Sequence, residues 1–218
     1  MDIESFNQCL GYLQASLQGK GTLDKALPIL GTLVGAVFGF ALNYFAGRGK
    51  ENNAAKNKLM CIEEDVMAIE HSLDELNKEA LRMISLIVKK TPARGNYLPL
   101  SISALCLESY FIDVAHKYSR QQRYWIQLLI SRLEEISDAL VEIKDFKGPM
   151  YTRAVNLLNL IGLAVNCSRF CKMIMQDEIL EDEGVVSWLR VMNVSEEHLD
   201  AYSRAFENAE VHNTTLEL

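Results

Sequence analysis

The sequence of 218 residues lacks the features that mark several protein classes. Four prolines and twelve glycines are too few for a linker or a collagen-like chain, and a hydrophobic fraction of 49% is too high for a disordered one. The net charge of −7 excludes the basic surplus of a dedicated nucleic-acid-binding domain. Neither an alternating strand pattern nor a catalytic motif is present. We therefore expect an all-α protein that is not an enzyme.

An uncharged apolar run covers residues 26–46, in the part of the chain that holds eight of the twelve glycines. A helix of about 20 apolar residues crosses the hydrocarbon core of a bilayer. The run predicts one transmembrane helix over 25–47. The alternatives are a buried helix of a soluble domain and a cleaved signal peptide, whose apolar region has only about 7–15 residues.

Basic residues flank this run unequally. Four follow it closely, at positions 48, 50, 56 and 58, and two precede it, at 20 and 25. Positive charge favours the cytoplasmic side of a membrane. We expect a single-pass membrane protein whose C-terminal domain is cytoplasmic, so that the lipid bilayer is its first partner.

One stripe within the run has little side-chain bulk. Gly31, Gly35 and Gly39 are spaced four apart, and Asn43 continues the row. Helix backbones approach closely along such a stripe, and the amide hydrogen-bonds across the contact. The spacing predicts a homo-oligomer, although glycine is also common in membrane helices. A passive anchor and a pore both fit, and the run has no ionisable residue of the kind that marks a proton relay.

Residues 1–24 form a leader before the run. Its apolar residues recur at helical spacing, which predicts a short amphipathic helix lying at the membrane interface or pairing with its copy. Glycines at 19 and 21 end the pattern. The acidic, amide-rich polar face is unsuited to binding anionic lipid.

Helical periodicity dominates the chain after a polar connector at 48–58. Apolar residues recur at coiled-coil spacing in two seams, nine of them from Leu59 to Ile87 and six from Ile126 to Ile143. We expect an antiparallel helical bundle over 59–208 with long coiled-coil-like helices, followed by a flexible tail at 209–218. Its helices are predicted at 59–90, 100–145, 150–178, 183–192 and 196–208. The apolar stretch 154–168 is short enough for a core helix, with a second membrane span as the alternative.

Five widely spaced cysteines predict reduced thiols rather than a disulfide framework. Cys167 and Cys171 lie four apart on one helix, but no histidine close to them in sequence completes a metal site. We therefore expect no metal and no cofactor.

Two groups of residues are candidates for partner binding in the bundle. Trp188, Tyr202 and Phe206 lie on the short C-terminal helices, where they either cap the bundle or present a groove to a partner. Lys117, Arg120 and Arg123 are interleaved with aromatic residues, which suits nucleic-acid contact. The alternative for this second group is a solvated helix face with Trp125 in the core.

The order of leader, glycine-rich span and helical domain resembles small membrane effectors of bacterial anti-phage systems, including those encoded beside retrons. The resemblance is architectural, and no family residue is carried over from it. It implies that a cytoplasmic complex containing a reverse transcriptase and nucleic acid holds the effector until release lets it disrupt the inner membrane. A membrane-tethered coiled-coil adaptor, whose span is only an anchor, is the alternative.

Overall fold

The computed structural model describes residues 8, 11–12, 22–91 and 95–216, with only the backbone described at 22–31, 34 and 213–216. These residues are helical and contain no strand, which confirms the all-α prediction. The chain divides into two units, Met1–Lys56 and Asn57–Leu218. The amphipathic pattern predicted for the leader, residues 1–24, lies almost wholly outside the described residues.

Six α-helices and one short 3-10 turn make up the described chain. They are α1 (Thr22–Val88), α2 (Leu105–Val114), the 3-10 turn (Ala115–Lys117), α3 (Arg120–Asp145), α4 (Met150–Gln176), α5 (Gly184–Val191) and α6 (Glu196–Leu216). The polar stretch 48–58 is helical and belongs to α1, and the last helix continues to Leu216 rather than ending near 208.

The predicted apolar seams build the core of the second unit. All six seam positions of α3 are buried, and seven of the nine on α1 are buried as well. These residues are Ile62, Val66, Ile69, Leu73, Leu76, Ala80 and Met83 on α1, and Ile126, Leu129, Leu133, Ile136, Leu140 and Ile143 on α3. The 3-and-4 spacing places each set on one helix face, which packs inward.

Helices α3 and α4 are antiparallel neighbours. At one end, the Gln122 side chain donates to the carbonyl of Ile174 at 2.7 Å. At the other end, Asn156 donates to Glu142 at 3.2 Å. These contacts pair the start of each helix with the end of the other, as a short connection between bundle helices requires.

Among the described residues, α4 is the helix whose length and apolar composition would allow it to cross a membrane. Just over half of its apolar window, 56%, is buried inside the protein. Its buried residues run from Leu157 to Ile174 and lie on more than one side of the helix. This burial favours a core helix over the second span considered for residues 154–168.

The prediction of one helix over 100–145 is wrong. Helix α2 ends at Val114, and α3 starts afresh at Arg120 after the 3-10 turn. The Ser119 hydroxyl caps α3 by accepting a hydrogen bond from the backbone N–H of Gln122 at 3.1 Å. In return, the side-chain carbonyl of Gln122 accepts a hydrogen bond from the backbone N–H of Ser119 at 3.0 Å. This reciprocal capping box creates a helix start inside the predicted helix.

Candidate functional site

The part of α1 in the first unit exposes large apolar side chains. Seven of them, each at least 59% exposed, are Leu33, Val37, Phe38, Phe40, Leu42, Tyr44 and Phe45. At 3.6 residues per turn they cover about half of the helix circumference, which we call the bulky face. A soluble monomer rarely exposes so continuous an apolar surface.

The rest of the circumference carries small side chains. This small-residue face consists of Thr32, Gly35, Ala36, Gly39, Asn43 and Ala46, all of them exposed. The structure therefore brings three of the four predicted stripe residues onto one described face. Gly31, the fourth, lies in the same helix, but only its backbone is described.

Among the described residues, nothing packs closely against Gly35 or Gly39. A methyl group added at either position would meet no atom within 4 Å. The space beside both glycines is therefore open in one copy of the described chain.

An aromatic and cationic cluster closes the apolar segment. The Arg48 guanidinium donates to the Tyr44 hydroxyl at 3.1 Å and lies 5.9 Å from the centre of its ring. The Tyr44 and Phe45 rings are 5.9 Å apart in an edge-on arrangement. Tyrosine and a long basic side chain beside an apolar helix are typical of a membrane–water interface.

In the second unit, Trp188 serves the interior rather than the surface. It is only 8% exposed, and the centre of its ring lies 5.2 Å from the Arg169 guanidinium carbon and 4.8 Å from the Lys172 ammonium. Arg169 also donates to Asp182 at 2.5 Å and to the carbonyl of Gly184 at 3.2 Å. These contacts join α4 to the start of α5.

Tyr202 and Phe206 line a shallow groove of about 460 Å³ between α4, α5 and α6. Their rings stack with centres 6.2 Å apart. Tyr202 is buried, which raises the pKa of its phenol, whereas Phe206 is 44% exposed. Gly162 on α4 and Val185 on α5 complete the apolar wall. Of the three predicted partner-binding residues, Phe206 is therefore the one open to solvent.

The three candidate nucleic-acid contacts have different surroundings. The Arg123 side chain donates to the carbonyl of Tyr118 at 2.8 Å and to that of Ala115 at 3.3 Å, so it stabilises the turn before α3. Lys117 and Arg120 are exposed. Trp125, the aromatic residue that the alternative places in the core, is buried at 7% exposure.

Sequence reasoning missed a charged cleft of about 670 Å³ beside α1. His71 and His198 line it, but they are far apart in sequence, so no local motif signals the site. Its other charges are largely paired within the protein. Lys78 lies 2.7 Å from Glu75, and Arg82 lies 2.7 Å from Glu79.

The cysteines divide into a bonded pair and two buried thiols. A disulfide joins Cys61 to Cys106, contrary to the expectation of unpaired thiols. Burial raises the pKa of Cys167 to about 12 and that of Cys171 well above its ordinary value. Within the described residues, no group of three metal-ligating side chains of His, Cys, Asp or Glu occurs. Cys9 lies outside them.

Two surfaces therefore expose apolar residues in a defined geometry: the first-unit segment of α1 and the groove at Phe206. Comparison of the chain with known protein families, curated proteins and solved structures found no match.

Proposed function

We propose that the protein is a membrane-anchored effector that self-associates through its glycine-rich helix and perturbs the bacterial inner membrane in anti-phage defence. A cytoplasmic protein or ribonucleoprotein partner holds the effector and triggers or releases it. The observation that carries the proposal is the bulky face of α1, whose seven large apolar side chains are exposed.

Energetics favour lipid as the surroundings of this segment. Burying one large apolar side chain is worth about 1.5–3 kcal/mol, so seven together favour leaving water by on the order of 10 kcal/mol. The run 26–46 contains no charge that would oppose insertion. The cluster of Tyr44 and Arg48 suits the point where the helix leaves the hydrocarbon. The basic residues that follow support a cytoplasmic second unit.

The small-residue face supports self-association. Lipid and leucine are equally apolar, so close backbone packing and interhelical hydrogen bonds drive association of helices in a membrane. Gly35 and Gly39 have open space at their Cβ positions, and Asn43 on the same face supplies an amide that can bond across an interface. A second copy of this helix is the occupant proposed for that space.

Gly35→Leu tests the proposal, with Val37→Leu on the bulky face as the matched control. Neither change alters charge, and a Cβ atom added at Gly35 meets no described atom within 4 Å. In cells carrying a membrane-potential dye, we expect the wild type and Val37→Leu to depolarise the membrane and crosslink as oligomers, and Gly35→Leu to do neither. A wild type that never depolarises the membrane, or a Gly35→Leu variant that does so equally, would refute the pore.

The groove at Phe206 supports a second function, that of a membrane-tethered adaptor. In that case the span is only an anchor, and the bundle binds the partner. Replacing residues 26–46 with an unrelated apolar span then preserves full function, whereas the effector requires the native small-residue face. Phe206→Ser weakens binding of the partner whether the protein is an effector or an adaptor. The double substitution Lys117→Glu and Arg120→Glu tests direct nucleic-acid contact.

A further inference from the structure

A disulfide joins helices α1 and α2. Cys61 is on α1 and Cys106 on α2, 45 residues later, and their Cα atoms lie 5.8 Å apart, within the range that a disulfide spans. Both residues are half-buried. Lys58 of α1 adds an ion pair to Asp113 at 2.5 Å, where both side chains are substantially exposed.

Helix α2 depends on α1 for its own start. Its N-cap residue, Ala104, offers no side-chain acceptor, and the Leu107 amide instead donates to the Asp65 carboxylate of α1 at 2.9 Å. The helix has only ten residues, and an isolated helix of that length is marginal in water. Its outward residues Leu105 and Ile112 are 69% and 84% exposed. The contact with α1 therefore helps to keep α2 helical.

The remaining described cysteines do not compete for thiol chemistry. Cys167 and Cys171 are fully buried, and burial keeps both in the unreactive thiol form. Among the described cysteines, oxidants and thiol reagents are thereby directed to the pair on α1 and α2.

We propose that Cys61 and Cys106 form a reversible redox site that latches α2 onto α1. The reductant is a low-molecular-weight thiol. Its thiolate attacks one sulfur of the bond, and a second thiol molecule resolves the mixed disulfide. In sum, the Cys61–Cys106 bond and two thiols become two cysteine thiols and one external disulfide, with two electrons and two protons moving to the protein. The reverse exchange, driven by an external disulfide, closes the latch. This inference stands apart from the proposed membrane function.

After reduction no covalent bond ties α2 to α1, and the burial of the inner apolar residues of α2 supplies most of the remaining attachment. Exposed ion pairs such as Lys58–Asp113 contribute little to stability, and the Asp65 bond satisfies a single amide. In the reduced state we expect α2 to open more often. Each opening exposes its buried inner residues Leu107, Phe111 and Val114.

The test equilibrates the full chain, in detergent, with mixtures of reduced and oxidised glutathione. Acid quenching, alkylation and peptide mapping then give the fraction of Cys61–Cys106 disulfide, and hydrogen exchange is followed at residues 105–114. We expect the pair to interconvert fully between the disulfide and the two thiols. After reduction, we expect hydrogen exchange at the Leu107 amide to become at least about ten times faster. Cys167→Ser preserves both effects, and Cys61→Ser abolishes the disulfide.

The variant Asp65→Asn distinguishes release of α2 from a general loss of structure. It weakens the hydrogen bond from the Leu107 amide to α1. Hydrogen exchange in α2 therefore rises in the reduced protein and stays slow in the oxidised protein. A bond that resists reduced glutathione in the native protein overturns the proposal. A bond that never forms in oxidised glutathione, or α2 exchange that is equal in both states, overturns it as well.

Discussion

Asn77 lies in the interior of the second unit. The side chain is fully buried, and neither Nδ2 nor Oδ1 makes a hydrogen bond to any described residue. Leaving such a group unsatisfied costs about 1–3 kcal/mol. Asn77 follows seam residue Leu76 on α1, and a buried amide at such a place can specify helix register at the expense of stability.

We expect Asn77→Leu to raise the free energy of unfolding by about 1–3 kcal/mol, since leucine removes the unsatisfied amide at similar volume. Urea unfolding in detergent measures the change. Asn57→Leu, at an exposed position of the same helix, is the control and should stay within about 0.5 kcal/mol of wild type. A loss of stability in Asn77→Leu contradicts the assignment.

Glu79 makes the second unit sensitive to acid. Its carboxylate accepts two bonds from Arg82, both 2.7 Å, and one from the Tyr97 amide at 2.9 Å. The bond from Arg82 lowers the pKa of Glu79 most, and the Tyr97 amide and the charge of Arg82 add to it against the effect of burial. Stability from Glu79 is thus present above its unfolded pKa and is lost as pH falls through the lower folded value.

We expect Glu79→Gln to flatten the decline in unfolding free energy at acid pH, measured by urea titrations at stepped pH. Glu70 is the matched control, because its pKa is shifted in the opposite direction. Burial raises the pKa of Glu70, so its protonation favours the folded state. Glu70→Gln therefore steepens the acid decline, and equal profiles for both variants would refute the assignment.

At the scale of elements, the cap of α3 joins two helices. The Ser119 hydroxyl accepts from the Gln122 amide at 3.1 Å and donates to the Asp177 carboxylate at 2.6 Å. Asp177 follows α4 and has a left-handed backbone conformation, so the contact ties the start of α3 to the end of α4.

We expect Ser119→Ala to cost about 1–2 kcal/mol, because it removes an N-cap together with this tie. Thermal and urea unfolding measure the loss, and Ser101→Ala in the exposed loop is the control. The loss should shrink when Asp177→Asn has already weakened the partner, as a double-mutant cycle detects. A change below the error of the control would contradict the role of the cap.

The helices also show which features of the fold could be predicted from the sequence. The seams of α1 and α3 were predictable, because burial selects apolar residues at helical spacing. The break before α3 was missed although Ser119 and Gln122 have capping-box spacing. The polar stretch 48–58 was expected to connect the span to the bundle, and α1 continues through it as one helix. The pairing of Cys61 with Cys106 had no local signal, because tertiary packing brings them together.

The disulfide should stabilise the fold by closing a long loop in the unfolded chain. With a sequence separation of 45 between Cys61 and Cys106, chain entropy gives about 4 kcal/mol. Urea unfolding of the oxidised and reduced protein measures the difference, with Cys167→Ser repeated in both states to exclude the buried thiols. A difference below about 1 kcal/mol would mean that the disulfide distorts the oxidised fold or that the reduced unfolded chain retains structure.

At the scale of the whole molecule, folding and membrane contact belong to different parts of the chain. Every buried hydrophobic residue among those described lies between Ile62 and Ala209, within the unit Asn57–Leu218. The described side chains of the first unit are nearly all exposed. The second unit thus contains its own core, as an independent domain requires.

We therefore expect a fragment of residues 57–218 to fold without detergent and to keep the helices of the second unit and the Cys61–Cys106 pair. The full chain should sediment with membranes, and the fragment should stay in the supernatant. Circular dichroism and flotation on lipid vesicles make the comparison.

This test also decides the role of α4, which among the described residues is long and apolar enough to cross a bilayer. A core helix leaves the fragment soluble, whereas a fragment that floats with vesicles would make α4 a second span and reverse the side on which α5 and α6 lie.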